Sequence, residues 1–559
     1  MNLLQPKPPP YDPLTWREKP FPVRGRMVCA AWALQGYGAP TSALVFYALK
    51  VFFYVWVWSA FCSATPGLGG LGRLPTWWLH PIAFEKAILW SALFEVLGLG
   101  CGSGPLTAHY FPPFGGALYF LRPGTTKLAL FPKLPLLGGT RRTLLDVALY
   151  AALCAALLRA LLAPVPGPAH LLPIVVLVPV LGVADKTTFL ALRGEHYWTT
   201  AVVFLFARDW IAGAKAVQLA LWFFAGVSKL NHHFAPVVCV MTSNSPAMRF
   251  EWLRRLMYRS YPDDLRPSAL AQFMAHAGTA LELSVPVVLA LVTHDGRILW
   301  LGLAMMMMLH LFITSNVPLG VPIEWNVMVV YAGWALFFAH PGITAQQTAP
   351  WPLALFIVLM VVLVPVLGNL FPERISFLAA MRYYAGNWAC SVWLFKKGSE
   401  EKLKRLAKSA PWIYDQLAMF YDKSTAVGLV GRVMAFRMMH LHGRALPLLV
   451  PKAVDRLEEY EWMDGELIAG NVLGWNFGDG HLHDERLLAA VQEQCGFDEG
   501  ELRCIFVESQ PLFKSTLSWR VADAKSGLRA AGVVQVKELM SRQPWEPPLP
   551  ARSVAGAIA

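Results

Sequence analysis

Lys229 stands at the end of an apolar run, in Phe224-Ala225-Gly226-Val227-Ser228-Lys229-Leu230, and His232 and His233 follow at once. A lysine held in hydrocarbon is driven toward its neutral form and can then act as a base or a nucleophile. At the end of a span it can equally extend its ammonium to the lipid headgroups. Glu282 interrupts the otherwise apolar run 268–293, and His310 follows Met305 to Met308 in the next run. Asn316, Glu324 and Asn326 surround the turn after it, in HLFITSNVPLGVPIEWNV. A charge near the centre of a bilayer costs at least a few kcal/mol, so such groups normally face a bundle interior or a wet cavity. One histidine, two carboxylates and two amides are what a proton relay or an orienting network uses. They are also what hydrogen-bonds membrane helices to one another. Glu95 and the Glu85–Lys86 pair are candidates for the same network.

A second group lies far along the chain, in GWNFGDGHLHDER, which places Asp479, His481, His483 and Asp484 close together. In an extended segment positions 481 and 483 point to one face, so with Asp484 they can reach a divalent metal ion. A Gly-flanked polar turn accounts for the same residues without a metal. Met439-His440-Leu441-His442 repeats the alternation.

The elements that must position these groups follow from composition. Of 559 residues 56% are hydrophobic and only 15% charged, more apolar than a soluble globular chain. Apolar runs of spanning length occur at 41–63, 82–101, 144–164, 169–187, 210–230, 268–293, 297–317, 324–341 and 351–370. The net charge of +12 fits basic cytoplasmic loops and calls for no nucleic acid. Scattered cysteines without a CxxC pair imply neither a disulfide framework nor a cysteine zinc site.

Residues 1–40 read as a polar, Pro-containing arm with no cleavable signal peptide, on the cytoplasmic side by its Lys and Arg content. Nine spans would leave the C-terminus outside. Yet 371–410 holds eight Lys or Arg against three Glu, and 231–267 holds five Arg. A further crossing around Tyr197 to Ala207, or a broken or re-entrant pair formed with its neighbour, removes the conflict and puts both termini in the cytoplasm. Between the second and third runs, a Gly- and Pro-rich aromatic segment is expected at the membrane interface. After 371 the chain turns polar. GSEEKLKRLAKSAPWIYDQLAMFY and LLAAVQEQCGF read as amphipathic helices, and LRCIFVES as a strand followed by a hairpin around Lys525-Ser526-Gly527.

The expected architecture is therefore an all-α polytopic membrane bundle of about eight to ten helices, followed by a small α+β cytoplasmic domain. Its parts are the arm 1–40, the bundle 41–371, the domain 372–548 and a disordered tail 549–559.

Two resemblances attach to these residues. The stretches LFEVLGLGCGSGPLTAHYFPPFGGALYFLRPGTTKL, TSNVPLGVPIEWNV and GWNFGDGHLHDE resemble an uncharacterised family of bacterial, chiefly actinobacterial, transmembrane proteins. Over about 200–340, FFAGVSKLNHHF, ALELSVPVVLAL and MMLHLFITSNVPLG resemble the horizontally transferred transmembrane (HTTM) domain of vitamin K-dependent gamma-carboxylases. That second resemblance implies that Lys229 matches the lysine that deprotonates a reduced naphthoquinone. Ser228 stands where the carboxylases have a first lysine, and nothing after 371 resembles their substrate-binding half.

Together these features point to a plasma-membrane protein that binds or acts on a quinone or another lipid in its polar interior. In that reading Lys229 is the base and His310 and Glu282 orient or relay protons. Asn316, Glu324, Asn326, His232 and His233 contact the substrate. A transporter or channel, or a membrane scaffold that recruits a partner through its C-terminal domain, uses the same features differently.

Overall fold

Long apolar runs bounded by Pro, Gly and polar caps become helices, and the computed structural model shows them packed side by side. It describes residues 3–100, 109–207, 209–291, 296–316, 323–382, 386–477 and 482–547. Six helices are long and apolar enough to cross a membrane: Thr41–Cys62, Leu144–Leu162, Trp210–Val227, Ala269–Ala290, Gly296–Thr314 and Trp351–Leu370. Four shorter ones, Pro81–Val96, Pro168–Ala184, Tyr197–Phe206 and Ile323–Phe338, run between them. Leu49, Phe52, Trp56, Phe273, Leu311 and Val358 point outward and exposed, the pattern of a surface that meets lipid. Residues 101–108, within the expected interfacial segment, and the expected tail lie outside the described residues.

Contacts at the helix ends sort these ten described helices into alternating directions. On one face Lys86 Nζ donates to Phe61 O at 2.8 Å, Tyr331 Oη to Trp78 O at 2.6 Å and Lys215 Nζ to His340 O at 2.7 Å. On the other face the C-terminal half docks. There Gly116 N bonds Gly474 O at 3.0 Å, Asn231 Nδ2 bonds Gln510 O at 3.2 Å and Leu512 N bonds Asn369 O at 2.8 Å. Tyr197–Phe206, expected as a further crossing, is a ten-residue helix, shorter than a span, packed between Pro168–Ala184 and Trp210–Val227. The arm and the C-terminal half share one face.

The C-terminal half is built on a five-stranded antiparallel sheet in the order Tyr460–Asp464, Cys390–Lys396, Leu502–Val507, Thr516–Asp523, Gly527–Gln535. The last two strands form the expected hairpin, with Asp523 paired to Gly527. Cys390–Lys396 lies second in the sheet and is buried on both faces over its first six residues, as a covered strand must be. Glu485–Cys495 is the expected amphipathic helix. The stretch from Gly398 to Tyr421, expected as one helix, is instead a 3-10 helix over Ser399–Arg405 and a short α-helix Ile413–Ala418. Pro411 separates them because it disfavours a helical residue before it.

The arm holds more structure than its Pro-rich start suggests. Phe21–Gln35 is a helix packed along Lys423–Met439, with Val28, Cys29 and Trp32 fully buried. Arg432 fixes the contact by donating to Tyr37 O and to Gln35 Oε1, the latter at 3.0 Å.

This alternation makes a labelling prediction. Ser260 and Ser526 are exposed on the face that carries the C-terminal half, and Gly342 is exposed on the other. In intact cells, Ser260→Cys and Ser526→Cys should respond alike to a membrane-impermeant thiol reagent, and Gly342→Cys in the opposite way. Opposite responses at 260 and 526 would mean that one of the four helices between them, from Ala269–Ala290 to Trp351–Leu370, does not cross.

Candidate functional site

The helix Trp210–Val227 begins at Asp209, whose carboxylate accepts from Ile211 N at 3.2 Å. It presents Lys215, Gln218 and Trp222 on one face, at the three- and four-residue spacing of a helical stripe, and Lys229 follows seven residues after Trp222. Ala269–Ala290 begins at Ser268, which accepts from Ala271 N at 3.2 Å, and carries Glu282. These two helices touch at Gly226. A Cβ there would lie 2.8 Å from Leu283 Cδ2 and 3.2 Å from Leu283 N, so only glycine allows this approach.

At that contact Lys229 and Glu282 form a buried ion pair. The Lys229 ammonium also lies 5.1 Å from the centre of the Phe234 ring. Lys229 is therefore turned inward and does not extend to the headgroups. Removing one member of such a pair leaves an uncompensated charge in a poor dielectric.

His310 lies close enough to Lys229 to feel its charge and is fixed by its own partners. Trp222 Nε1 donates to His310 Nε2 at 3.0 Å, and the other ring nitrogen meets Asn326 Oδ1. Since Nε2 accepts, the proton sits on Nδ1 and is donated to the amide. Asn326 Nδ2 returns a bond to His310 O at 3.0 Å. Both ring nitrogens are thus engaged.

Successive residues of one helix serve three neighbours, because each step turns by about 100°. Asn326 meets His310, whereas Glu324 pairs with Lys50 at 3.1 Å. Trp325 lies under the Arg193 guanidinium at 5.1 Å. Arg193 in turn pairs with Glu95 at 3.1 Å and is held at φ 55°, a left-handed backbone rare for a side chain of its size. Lys50 and Arg193 complete the buried charge network and are absent from the sequence-based assignment. A lone lysine inside 41–63 is the available signal for Lys50. Arg193 has only its place in an irregular stretch.

Of the remaining expected residues, Asn316 is buried, donates to Phe312 O at 2.7 Å and leaves its Oδ1 without a partner among the described residues. His233 is fully buried and His232 exposed. Glu85 and Lys86 lie buried near the opposite face, where Lys86 bonds Phe61 O.

His233 approaches a second cluster instead. His440 and His442 stack at 5.8 Å beside Trp388, and both His233 and His483 lie near His442. Arg437, fully buried, clamps Asp464 with bonds of 2.7 and 2.9 Å and lies 3.3 Å from His442 Nε2. The two expected histidine stretches thus converge through His442 and His483. Asp484 diverges from His483, because its carboxylate caps Glu485–Cys495 through Arg486 N at 2.9 Å. His481 and Asp479 lie outside the described residues. Among the described residues no group of three or more His, Cys, Asp or Glu is arranged to hold a metal ion.

Ten packed helices joined to an antiparallel sheet unit, with charged pairs between the helices, are the frame for the comparison with known proteins. The chain belongs to the DUF3556 family, transmembrane proteins of unknown function, which it matches over residues 1–554. No curated protein and no solved structure matches it. The match covers the bundle and the C-terminal half together, so both are parts of one family architecture. It adds no reaction.

Two outcomes follow. Lys229→Met and Glu282→Leu should each lower the stability of the detergent-purified protein by about 3–5 kcal/mol, and the double variant by clearly less than their sum. Chemical denaturation would show it, and simple additivity would mean that the pair does not form. The second outcome concerns pH. Burial holds His440 down to about 3, against the pull of its bond to Phe436 O, and burial with Arg437 beside it holds His442 well below the usual imidazole range. Lowered in the folded state, both contribute stability that is complete above the unfolded imidazole value of 6.5 and is lost as pH falls toward their folded values. The melting temperature should fall as the pH drops below that value, with a shallower slope in a His440→Gln, His442→Gln variant.

Proposed function

We propose that this protein is a multi-pass plasma-membrane protein that holds a lipid-soluble molecule with a polar head, a quinone or another lipid, inside its bundle and exchanges a proton with it at Lys229. The Lys229–Glu282 pair, buried at the contact of two helices beside the fixed His310, is the observation that carries this reading. In this reading the Lys229 ammonium first gives a proton to the Glu282 carboxylate it faces. The amine then takes the proton of a substrate hydroxyl. The oxyanion left behind faces the new ammonium, and the carboxylic acid holds the proton first given up.

His310 serves as an orienting group here, since both its nitrogens are committed. Asn316 Oδ1 offers an acceptor for the head of the molecule. The resemblance of 200–340 to the membrane domain of gamma-carboxylases supports Lys229 in this role and a naphthoquinone-like partner. Ser228 in place of a second lysine, and the different C-terminal half, speak against carboxylation of protein glutamate. Basic residues on the face of the C-terminal half support a cytoplasmic position for that face and for both termini.

A second reading, passage of protons, is favoured by one observation. Gln218 is buried on the stripe between Lys215 and Trp222, and neither amide atom has a partner among the described residues. Such an amide suits a water in a polar seam.

Arginine separates these roles, because its guanidinium keeps the charge but does not release a proton near neutral pH. Lys229→Arg should fold normally and lose every cellular phenotype that deletion of the protein produces. Mass spectrometry of molecules that copurify with the unaltered chain should show a quinone or another lipid. A fully functional Lys229→Arg variant would overturn proton exchange at this residue.

A further inference from the structure

Where the fourth pass, Pro168–Ala184, meets the C-terminal half, a cleft of about 890 Å³ opens, within the size range of small-molecule sites. Its two walls differ in kind. Pro179, Val183, Phe189 and Leu190 make one wall apolar. The other carries Arg374, from the connection after the tenth pass, and Arg486, from the first turn of Glu485–Cys495.

The charges on that wall are not equivalent. Arg520 is held by Glu485 and by Glu508, the latter at 2.7 Å, so it is neutralised and serves as a fixed support. Arg374 and Arg486 are exposed and have no carboxylate partner among the described residues. Two guanidiniums facing one cleft present the forked donors that suit phosphate oxygens. Lys186 lines the same cleft as a third cation, and Glu373 and Asp484 also line it and oppose a head with several negative charges. A singly charged phosphodiester fits this balance better than a phosphomonoester.

A separate observation sets the cleft at the level of the lipid headgroups. Leu130 lines it, and the loop that continues from Leu130 exposes Phe131 to 58% and Leu136 to 81%. Lys127 ties this loop to the start of Leu144–Leu162 by bonding both Leu137 O and Asp146, and Leu144 there is exposed as well. Apolar side chains exposed at a span end belong in the interfacial layer of a bilayer.

We infer that this cleft binds a membrane phospholipid, with its phosphodiester between Arg374 and Arg486 and the first part of its chains along Pro179, Val183 and Phe189. The site is independent of the reading at Lys229. It gives the C-terminal half a direct hold on the bilayer.

Full-length protein stripped of lipid in a neutral detergent would be titrated with a short-chain phosphatidylglycerol, a diacylglycerol of the same chains, and inorganic phosphate, with native mass spectrometry as the readout. The phospholipid should bind, and an Arg374→Gln, Arg486→Gln variant should bind it at least about tenfold more weakly, as loss of two charge-assisted contacts implies. The variant's melting temperature without lipid should be unchanged, since both side chains are exposed. Equal binding of the diacylglycerol, unaltered affinity in the variant, or inorganic phosphate binding as tightly as the lipid would each overturn the proposal.

Discussion

A cation removed from water inside this bundle must find an anion or, as Lys86 and Lys215 do, backbone carbonyls, and much of the packing follows from that requirement. Five buried pairs meet it among the described residues: Lys50–Glu324, Lys127–Asp146, Arg142–Asp185, Arg193–Glu95 and Lys229–Glu282. Each joins segments distant in sequence. The first pass is pinned to the ninth, the interfacial segment to the third and fourth, the second to the fifth, and the sixth to the seventh. Apolar contact alone is a poor guide between helices in lipid, where the surrounding tails are as apolar as the side chains. Charge pairs restore specificity, because a helix rotated by one residue would strand two ions rather than one contact.

The same requirement explains why the candidate site is dense in hydrogen bonds. Trp222, His310, Asn326 and Thr314 form a chain in which each group is oriented by the next. Rigid polar groups inside an apolar shell keep their direction when a ligand arrives, and that is the condition for acting on it. The C-terminal half repeats the pattern outside the bundle, where Arg437 bridges Asp464 and the histidine pair.

Much of the bundle is legible in the amino-acid order. Runs of apolar residues mark helix positions to within a few residues, and the helix Tyr197–Phe206 falls where the excess of Lys and Arg in two connections calls for a further element. Strand and hairpin in the last hundred or so residues follow from alternation and a Gly turn. What spacing along the chain does not supply is partnership. Lys229 and Glu282 are each visible as unusual residues, but they are 53 positions apart, and nothing local says that they meet. Lys50 and Arg193 escape notice for the same reason. Pro411 is visible as well, yet the charged residues before it carry a helical pattern strong enough to mask the break. The arm is hidden by its prolines, which precede a helix whose apolar residues wrap nearly its whole circumference and so show no single stripe.

The helix Phe21–Gln35 and its partner Lys423–Met439 belong to opposite ends of the chain. During synthesis the first is made long before the second exists. Trp32 finds Val240 O earlier, but the face of this helix that meets Lys423–Met439 stays uncovered until the whole bundle has been made. Closing so long a loop in free solution carries a large entropic cost, but insertion of the intervening passes brings the two ends to one face in advance. The bilayer therefore acts as the template for a contact that lies outside it, and the C-terminal half can complete its core only on a membrane that has already received the rest of the protein.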